Sequence, residues 1–289
     1  MIYTHPLAES QMDLASYICR HSGDQTFAYR QVDGQSISMS IYNPPNFDPG
    51  NTYPAFLFVH GGGWRSRKIF DGEGIWQGDY LGYLARYYAD RGYVSISIDY
   101  RLASSDGQMP QYQLIDCYDD CAAAVDYILD HAASLGINTS YVNLLGESAG
   151  GHLAGMLATR YQRPGFRFQR AFLVNAITDL VCDKRWGPLV PKVSAHPLLA
   201  SLPPEDYGKY LSPLYSIREN NCPVVLIHGK ADSVVEPFHS TAFYRRMREV
   251  GAQCQLHWIE ETNHAFLLAE YTSNLAACKI GIRIIDQYV

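Results

Sequence analysis

Apolar runs alternate with helical patterns from residue 55 onward, and no other feature of the sequence limits the fold as strongly. Six short runs are rich in apolar residues, at residues 55–60, 93–100, 141–146, 171–177, 224–229 and 255–260. Such runs are typical of strands that are buried on both faces of a parallel sheet. Five segments with helical periodicity separate or follow them, at residues 80–91, 112–134, 149–160, 237–250 and 272–287. The alternation predicts an α/β structure in which a mostly parallel central sheet has helices on both faces.

Two further strands are predicted ahead of this sheet. Residues 26–32 and 36–44 flank Asp33-Gly34, a dipeptide that is favoured in two-residue hairpin turns. The sequence therefore predicts an N-terminal antiparallel hairpin that leads into the parallel sheet. Residues 1–24 are expected to be helical or irregular. Because no repeat or long linker divides the chain, residues 1–289 are predicted to form a single domain.

The segment Gly146-Glu147-Ser148-Ala149-Gly150 joins a predicted strand to a predicted helix. A G-x-S-x-G motif in this context forms a sharp turn that exposes the serine hydroxyl, and small residues on either side prevent clashes across the turn. The adjacent helix N-terminus favours negative charge that develops during a reaction. The motif predicts that Ser148 is a catalytic nucleophile; the alternative is a serine that only caps the helix.

A run of three glycines, within His60-Gly61-Gly62-Gly63-Trp64, follows the first buried strand. Backbone N–H groups can surround an oxyanion when no side chains intervene, so the N–H groups of Gly61, Gly62 and Ala149 are the predicted oxyanion hole. The alternative, a phosphate-binding turn, would normally carry the lysine of a GxxxxGK[ST] motif, and none follows here. His60 is expected to bond the loop backbone rather than to act as a base.

A nucleophilic serine needs a base and an acid that orients the base. Asp232 follows the run at 224–229 and His264 follows the run at 255–260, at the sheet edge where α/β proteins build their sites. Their order after Ser148 is the serine, acid, histidine order of one large hydrolase fold. Other histidines and acids stay open as alternatives, namely His152, His196, His228, His239, Glu236 and Asp179.

Four stretches between about residues 53 and 266 carry a family resemblance: HGGGW, DYRL, GESAGGHLAGMLA and HGKADSVV. Together they resemble the carboxylesterase branch of the α/β hydrolases that is related to hormone-sensitive lipase. The stretches HGGGW and GESAGGHLA are also similar to bacterial esterases that act on acetylated or feruloylated plant polysaccharides, and to arylformamidases, which carry HGGxW and a GxSAG turn. The resemblance implies the α/β-hydrolase fold, and it implies a structural role for Asp99 and Tyr100, which would tie the strand end to the loop after the oxyanion glycines.

The implied activity is hydrolysis of short-chain, above all acetyl, esters of small molecules or carbohydrates through an acyl-enzyme. The same catalytic groups could cleave an arylformamide or another amide, and this is the first alternative. A non-catalytic binding protein is the alternative from another class, because the fold does not dictate function. The mechanism calls for no cofactor and no metal.

Two insertions break the alternation of strands and helices. Residues 181–216 carry six prolines with only a weak helical pattern, and a long ordered loop of this kind predicts a cap over the active site. Residues 64–80 come directly after the glycine run and are expected to line the pocket. The predicted substrate contacts are aromatic residues of these two segments: Trp64, Phe70, Trp76 and Trp186.

Charge and cysteine usage restrict the partners and the compartment. A net charge of −6 without a Lys/Arg run argues against nucleic acid and against an anionic membrane surface. No apolar stretch is long enough for a membrane span, and no secretory signal is visible. The seven cysteines are scattered and lack zinc-ligand spacing. We therefore expect a cytoplasmic protein whose partner is a small-molecule ester; a homodimer is compatible with the tyrosine-rich composition, but no sequence pattern indicates one.

Overall fold

A nine-stranded sheet forms the centre of the protein in this computed structural model, which describes residues 1–7, 13–14, 17, 22–65, 70–71, 74–75, 81–103, 112–267 and 275–289. The strands are β1 (Ile2–His5), β2 (Gln25–Val32), β3 (Gln35–Tyr42), β4 (Tyr53–Val59), β5 (Phe70–Asp71), β6 (Gly74–Ile75), β7 (Val94–Ile98), β8 (Ile137–Glu147), β9 (Arg170–Val174), β10 (Val224–Gly229) and β11 (Cys254–Ile259). β5 and β6 pair with each other in a separate short hairpin.

The strand order of the large sheet is β1-β11-β10-β9-β8-β4-β7-β3-β2. Pairing is parallel from β1 to β7, and it becomes antiparallel where β3 joins β7 and β2 joins β3. This arrangement confirms the predicted mostly parallel sheet with an N-terminal antiparallel hairpin. The hairpin turn has positive φ at both Asp33 (50°) and Gly34 (76°), as the type I′ turn that suits this dipeptide requires.

The prediction for the N-terminal residues was wrong in part. Residues 2–5 form β1, a parallel edge strand in register with β11 from Ile2 opposite Leu256 to His5 opposite Ile259. Ile2-Tyr3-Thr4-His5 shows no alternation of apolar and polar residues, so this strand depends on the neighbour with which it pairs rather than on its own sequence. Its end is fixed by His5 Nε2, which lies 2.9 Å from Nδ1 of His257.

Helices cover both faces of the sheet, as predicted. The α-helices in the described ranges are α1 (Gly82–Ala89), α2 (Leu114–Asp130), α3 (Ala149–Arg160), α4 (Pro197–Ala200), α5 (Tyr207–Tyr210), α6 (Phe238–Glu249) and α7 (Leu275–Asp286). One face of β4, with Ala55, Leu57 and Val59, packs in a core with α2, α3 and α6. The opposite face, with Phe56 and Phe58, packs in a second core with α1 and α7. None of these helices has both the length and the hydropathy needed to cross a membrane.

Residues 181–216 form short helical pieces rather than another strand and helix. α4, α5 and three 3-10 turns (Gly187–Leu189, Pro204–Asp206 and Pro213–Ser216) follow one another in this segment. Four of these five pieces have a proline in the first turn, where a missing N–H costs nothing and the ring favours helical φ. Leu199 and Leu211 anchor the segment in the core that contains α3. The role of the segment as a cap stays a prediction.

Candidate active site

Ser148 stands at a sharp turn between β8 and α3. Its backbone has φ 56° and ψ −119°, a conformation that is costly for a residue with a side chain and that clusters at functional sites. The Ser148 N–H donates to the carbonyl oxygen of Val174 at 2.9 Å, which ties the turn to the end of β9. The turn therefore presents the hydroxyl at the C-terminal edge of the parallel strands.

The glycines on both sides of Ser148 are required by close backbone contacts. A Cβ atom on Gly146 would lie 2.1 Å from the carbonyl oxygen of Gly150. A Cβ atom on Gly150 would lie 2.1 Å from the carbonyl oxygen of Val59 and 2.4 Å from that of His60. The first turn of α3 is therefore pressed against the end of β4, where the glycine run begins.

Replacement of Gly150 by alanine is expected to lower the free energy of unfolding by about 3 kcal/mol or more, because the added Cβ overlaps backbone atoms that cannot rotate away. Gly187→Ala is a matched control, since a Cβ there meets no atom within 4 Å, and we expect a change within about 0.5 kcal/mol. Urea denaturation followed by circular dichroism measures both. Equal stabilities of the two variants would contradict the close contact at Gly150.

A continuous hydrogen-bonded chain links Ser148, His264 and Asp232. His264 Nε2 lies 2.9 Å from Ser148 Oγ, and His264 Nδ1 lies 2.7 Å from Asp232 Oδ2. Because an ionised carboxylate only accepts, Nδ1 carries the proton and Nε2 is left to accept the proton of the Ser148 hydroxyl. The three side chains follow β8, β11 and β10 respectively. This arrangement can activate a serine for attack on a carbonyl carbon.

Asp232 is held by groups on every side of its carboxylate. Oδ1 accepts the N–H groups of Val234 and Val235 at 2.9 and 2.8 Å, and His228 Nε2 lies 3.4 Å from Oδ2. Burial of the carboxyl acts to raise its pKa, but the hydrogen bonds from His228 and His264 outweigh burial and hold the pKa of Asp232 well below its usual range. Asp232 is therefore a carboxylate at any pH near neutrality.

Two supporting residues of this site were missed by sequence reasoning. The sequence leaves His228 open only as an alternative base, although its position at the end of β10 was a signal that it could reach the carboxylate of Asp232. Asn263 joins the two loops: its Oδ1 accepts the N–H of Ser233 at 3.0 Å and that of His264 at 2.7 Å. Nothing in the sequence marks Asn263, because the contact joins loops that are 30 residues apart.

The glycine run turns away from the end of β4 in the left-handed region. φ is 93° at Gly62, 63° at Gly63 and 56° at Trp64, and the contact of Gly150 with the His60 carbonyl places the run beside the first turn of α3. His60 Nδ1 lies 2.9 Å from the carbonyl oxygen of Gly61. The start of the glycine run at His60 therefore lies beside the helix turn that begins with Ala149.

The predicted aromatic substrate contacts have different outcomes. Trp64 is completely buried, with its ring centroid 5.1 Å from that of His152 and 5.8 Å from that of Trp186. The expectation that the Trp64 ring contacts substrate directly is therefore corrected, because the indole packs inside the protein against His152 and Trp186. Trp186 is half-buried, and its contact with substrate stays a prediction. Trp76 and the side chain of Phe70 lie outside the described residues.

The alternative bases and acids have other partners. Nε2 of His152 lies 2.7 Å from the Leu211 carbonyl oxygen, and burial lowers the pKa of His152 to about 4. Apart from His228, the remaining candidates bind elsewhere: His196 to Asp119, His239 to Asp183, Glu236 to Arg185, and Asp179 to the N–H groups of Val181 and Cys182. Within the described ranges, no three His, Cys, Asp or Glu side chains are grouped as ligands for a metal ion.

Comparison with known proteins gives a consistent set of relatives. The family model BD-FAE matches residues 39–247. Ethyl acetate hydrolase of Pseudomonas putida is 27% identical over 253 residues, which cover 81% of this chain and 73% of the relative. Thermogutta terrifontis esterase 2, in a structure phosphoramylated by tabun, is 25% identical with a TM-score of 0.74 over 93% of this chain and 94% of that chain. The same esterase has been solved with propionate and with butyrate bound.

Proposed function

As a member of the BD-FAE family this chain is a serine carboxylic ester hydrolase with the α/β-hydrolase fold, and we propose that Ser148, His264 and Asp232 perform its reaction. The observation that carries the proposal is the hydrogen-bonded chain from Asp232 through His264 to the Ser148 hydroxyl. Of the described histidines, His264 is the one whose ring contacts Ser148.

The reaction begins when His264 Nε2 takes the proton of the Ser148 hydroxyl as the oxygen attacks the ester carbonyl carbon. The carbonyl oxygen becomes an oxyanion, which accepts hydrogen bonds from the N–H groups of Gly61, Gly62 and Ala149. His264 then donates its proton to the leaving alcohol, and an acyl group remains on Ser148. Water repeats the same sequence of steps and releases the acid.

Charge in the transition state is stabilised from two directions. The imidazolium of His264 forms against the ionised carboxylate of Asp232, which does not itself take the proton. The oxyanion forms at the N-terminus of α3, where the helix dipole and unpaired N–H groups favour negative charge. One oxyanion donor is typically worth about 2.7–4 kcal/mol of transition-state stabilisation, so the glycine run supplies a large share of the rate enhancement.

The acyl group that we propose is short, with acetyl preferred, on a small-molecule or carbohydrate alcohol. His152 is four residues after Ser148 and so lies one turn further along the same side of α3. Trp64 packs against His152, and Trp186 packs against Trp64, so large rings fill the space beside this turn. The relative named for ethyl acetate and the neighbour solved with propionate and butyrate support the same acyl size.

Steady-state kinetics on p-nitrophenyl esters from acetate to laurate test the proposed acyl group. We expect kcat/KM to be highest between acetate and butyrate and to fall steadily for longer chains. A maximum at octanoate or beyond would overturn the short-acyl proposal. N-formylkynurenine is assayed in parallel, and turnover of this amide faster than that of the acetyl ester would favour the arylformamidase alternative.

Trp186→Ala is expected to shift the chain-length preference toward longer acyl groups. Removal of the indole leaves space beside Trp64, and each methylene that enters it is worth about 0.8 kcal/mol. The ratio of kcat/KM for octanoate to that for acetate should rise about tenfold. Val193→Ala, a change at a side chain of the same segment that is 82% exposed, is the control and should leave the ratio unchanged. An unchanged ratio of kcat/KM for octanoate to that for acetate in Trp186→Ala would show that Trp186 does not line the acyl pocket.

A further inference from the structure

Tyr100 lies two residues after β7 and is completely buried. Its single hydroxyl proton is shared between two consecutive backbone carbonyl oxygens, that of His60 at 2.7 Å and that of Gly61 at 3.2 Å. Its ring stacks on the imidazole of His60, with the ring centroids 4.3 Å apart and the planes 11° from parallel. One side chain therefore holds both the backbone and the ring at the start of the glycine run.

The two carbonyls that Tyr100 holds belong to the peptide groups whose N–H groups are the proposed oxyanion donors. The carbonyl of His60 shares a peptide plane with the N–H of Gly61, and the carbonyl of Gly61 shares one with the N–H of Gly62. In a trans peptide the C=O and N–H point in opposite directions. The Tyr100 hydroxyl thus holds the carbonyl oxygen of each peptide group, and the N–H groups of Gly61 and Gly62 point away from the Tyr100 hydroxyl.

The glycine run needs such an external constraint. Glycine has the greatest backbone freedom of any residue, and Gly61 and Gly62 carry no side chain through which the loop could be held. The second constraint is His60 Nδ1, which lies 2.9 Å from the Gly61 carbonyl oxygen and so must carry its proton. The donors of an oxyanion hole are effective only when they are oriented before the charge appears.

We propose that Tyr100 is a positioning residue for the oxyanion hole, which orients the N–H groups of Gly61 and Gly62 through their own peptide carbonyls. The proposal rests on the oxyanion roles given above for these two glycines. Loss of the hydroxyl removes one hydrogen bond from each carbonyl and allows both peptide planes to rotate. The N–H groups then tilt away from the oxyanion, and the transition state is stabilised less while binding of the trigonal ester is little changed.

Tyr100→Phe removes one oxygen atom and keeps the ring that stacks on His60. We expect kcat for p-nitrophenyl acetate to fall about 10- to 100-fold, less than or equal to the loss of a whole donor, with KM changed by no more than about twofold. The inhibition constant of a boronic acid, which forms a tetrahedral adduct with a serine, should rise by the same factor. Complete titration with a fluorophosphonate counts the folded active sites and should give full stoichiometry.

Tyr88→Phe is the matched control. Tyr88 is equally buried, but its hydroxyl donates to Asp286 Oδ1 at 3.0 Å, in the helix α7 on the opposite face of the sheet from α3. We expect unchanged kcat and unchanged boronic acid affinity in this variant. A purely structural role of Tyr100 would reduce the titrated fraction without changing kcat per titrated site, and that result would overturn the proposal.

Full kcat and full boronic acid affinity in a folded Tyr100→Phe protein would also overturn it. A failure of the proposed function is a different result, because Ser148→Ala would then keep its activity or the wild type would not react with the fluorophosphonate. If Tyr100→Phe does not fold, a crystal structure of the phosphonylated wild type decides. The N atoms of Gly61 and Gly62 should lie about 2.7–3.1 Å from the phosphonyl oxygen, and an N–H of either residue that points away from it would contradict the positioning role.

Discussion

Ser148→Ala is expected to lower kcat for p-nitrophenyl acetate by about 10⁴- to 10⁶-fold, because the acyl-enzyme cannot form without the Oγ atom. The oxyanion hole and the bound substrate remain, so a small rate above that of the uncatalysed reaction should persist. The fold should be unaffected, since the bond from the Ser148 N–H to Val174 is a backbone contact that alanine keeps. Kinetics with a matched thermal melt measure both effects.

Ser201→Ala is the control for this experiment. Ser201 is exposed in the 181–216 segment, and its hydroxyl donates to the Leu198 carbonyl oxygen at 2.7 Å, so its loss should leave kcat unchanged. If Ser148→Ala kept kcat within about tenfold of the wild type, another group would have to be the nucleophile, and the proposed mechanism would be wrong.

The second large effect is expected for Asp232→Asn, which should lower kcat by about 10⁴-fold near neutral pH. Oδ1 of Asp232 accepts two backbone N–H groups, from Val234 and Val235. The oxygen of an asparagine would take this position, and its NH₂ group would face Nδ1 of His264. The imidazole must then carry its proton on Nε2, which directs an N–H at the Ser148 hydroxyl and removes the base.

Asp286→Asn is the control for the loss of a charge. Its carboxylate accepts the hydroxyls of Tyr87 and Tyr88 at 2.8 and 3.0 Å, in α7 rather than in the site, and kcat should be unchanged. Asp232→Asn with wild-type kcat would assign the acid to another residue.

Because the pKa of Asp232 is held well below its usual range, wild-type activity should show no loss from protonation of this carboxyl between about pH 5 and 8.

Local rules account for the parts of the fold that the sequence predicts well. The bounds of α3 and β10, Ala149–Arg160 and Val224–Gly229, agree with the predicted segments, since a G-x-S-x-G turn and a continuous apolar run mark them. Parallel topology follows from the alternation of strands and helices. The edge strand β1 could not be predicted, because its four residues gain stability from the pairing with β11 and carry no pattern of their own.

The candidate site also has residues that the sequence identifies and supporting contacts that it does not. Ser148, Asp232 and His264 could be singled out because each follows a predicted strand at the same edge of the sheet. The contacts that support them could not. The contact of Asn263 between two loops depends on distances across the fold. The position of His228 at the end of β10 hints at its contact with Asp232, and the resemblance implies a structural Tyr100 without giving its two contacts with the glycine run. The prediction for Trp64 was wrong, because its burial against His152 and Trp186 is a tertiary contact that the sequence does not display.

The central claim, that Ser148 is the nucleophile that carries the acyl group, is tested most directly by a covalent label. The wild type is treated with a fluorophosphonate probe and digested, and the modified peptide is identified by mass spectrometry. We predict one probe per chain, attached to Ser148, and no labelling of Ser148→Ala. A probe on another residue, or equal labelling of the wild type and Ser148→Ala, would contradict the claim.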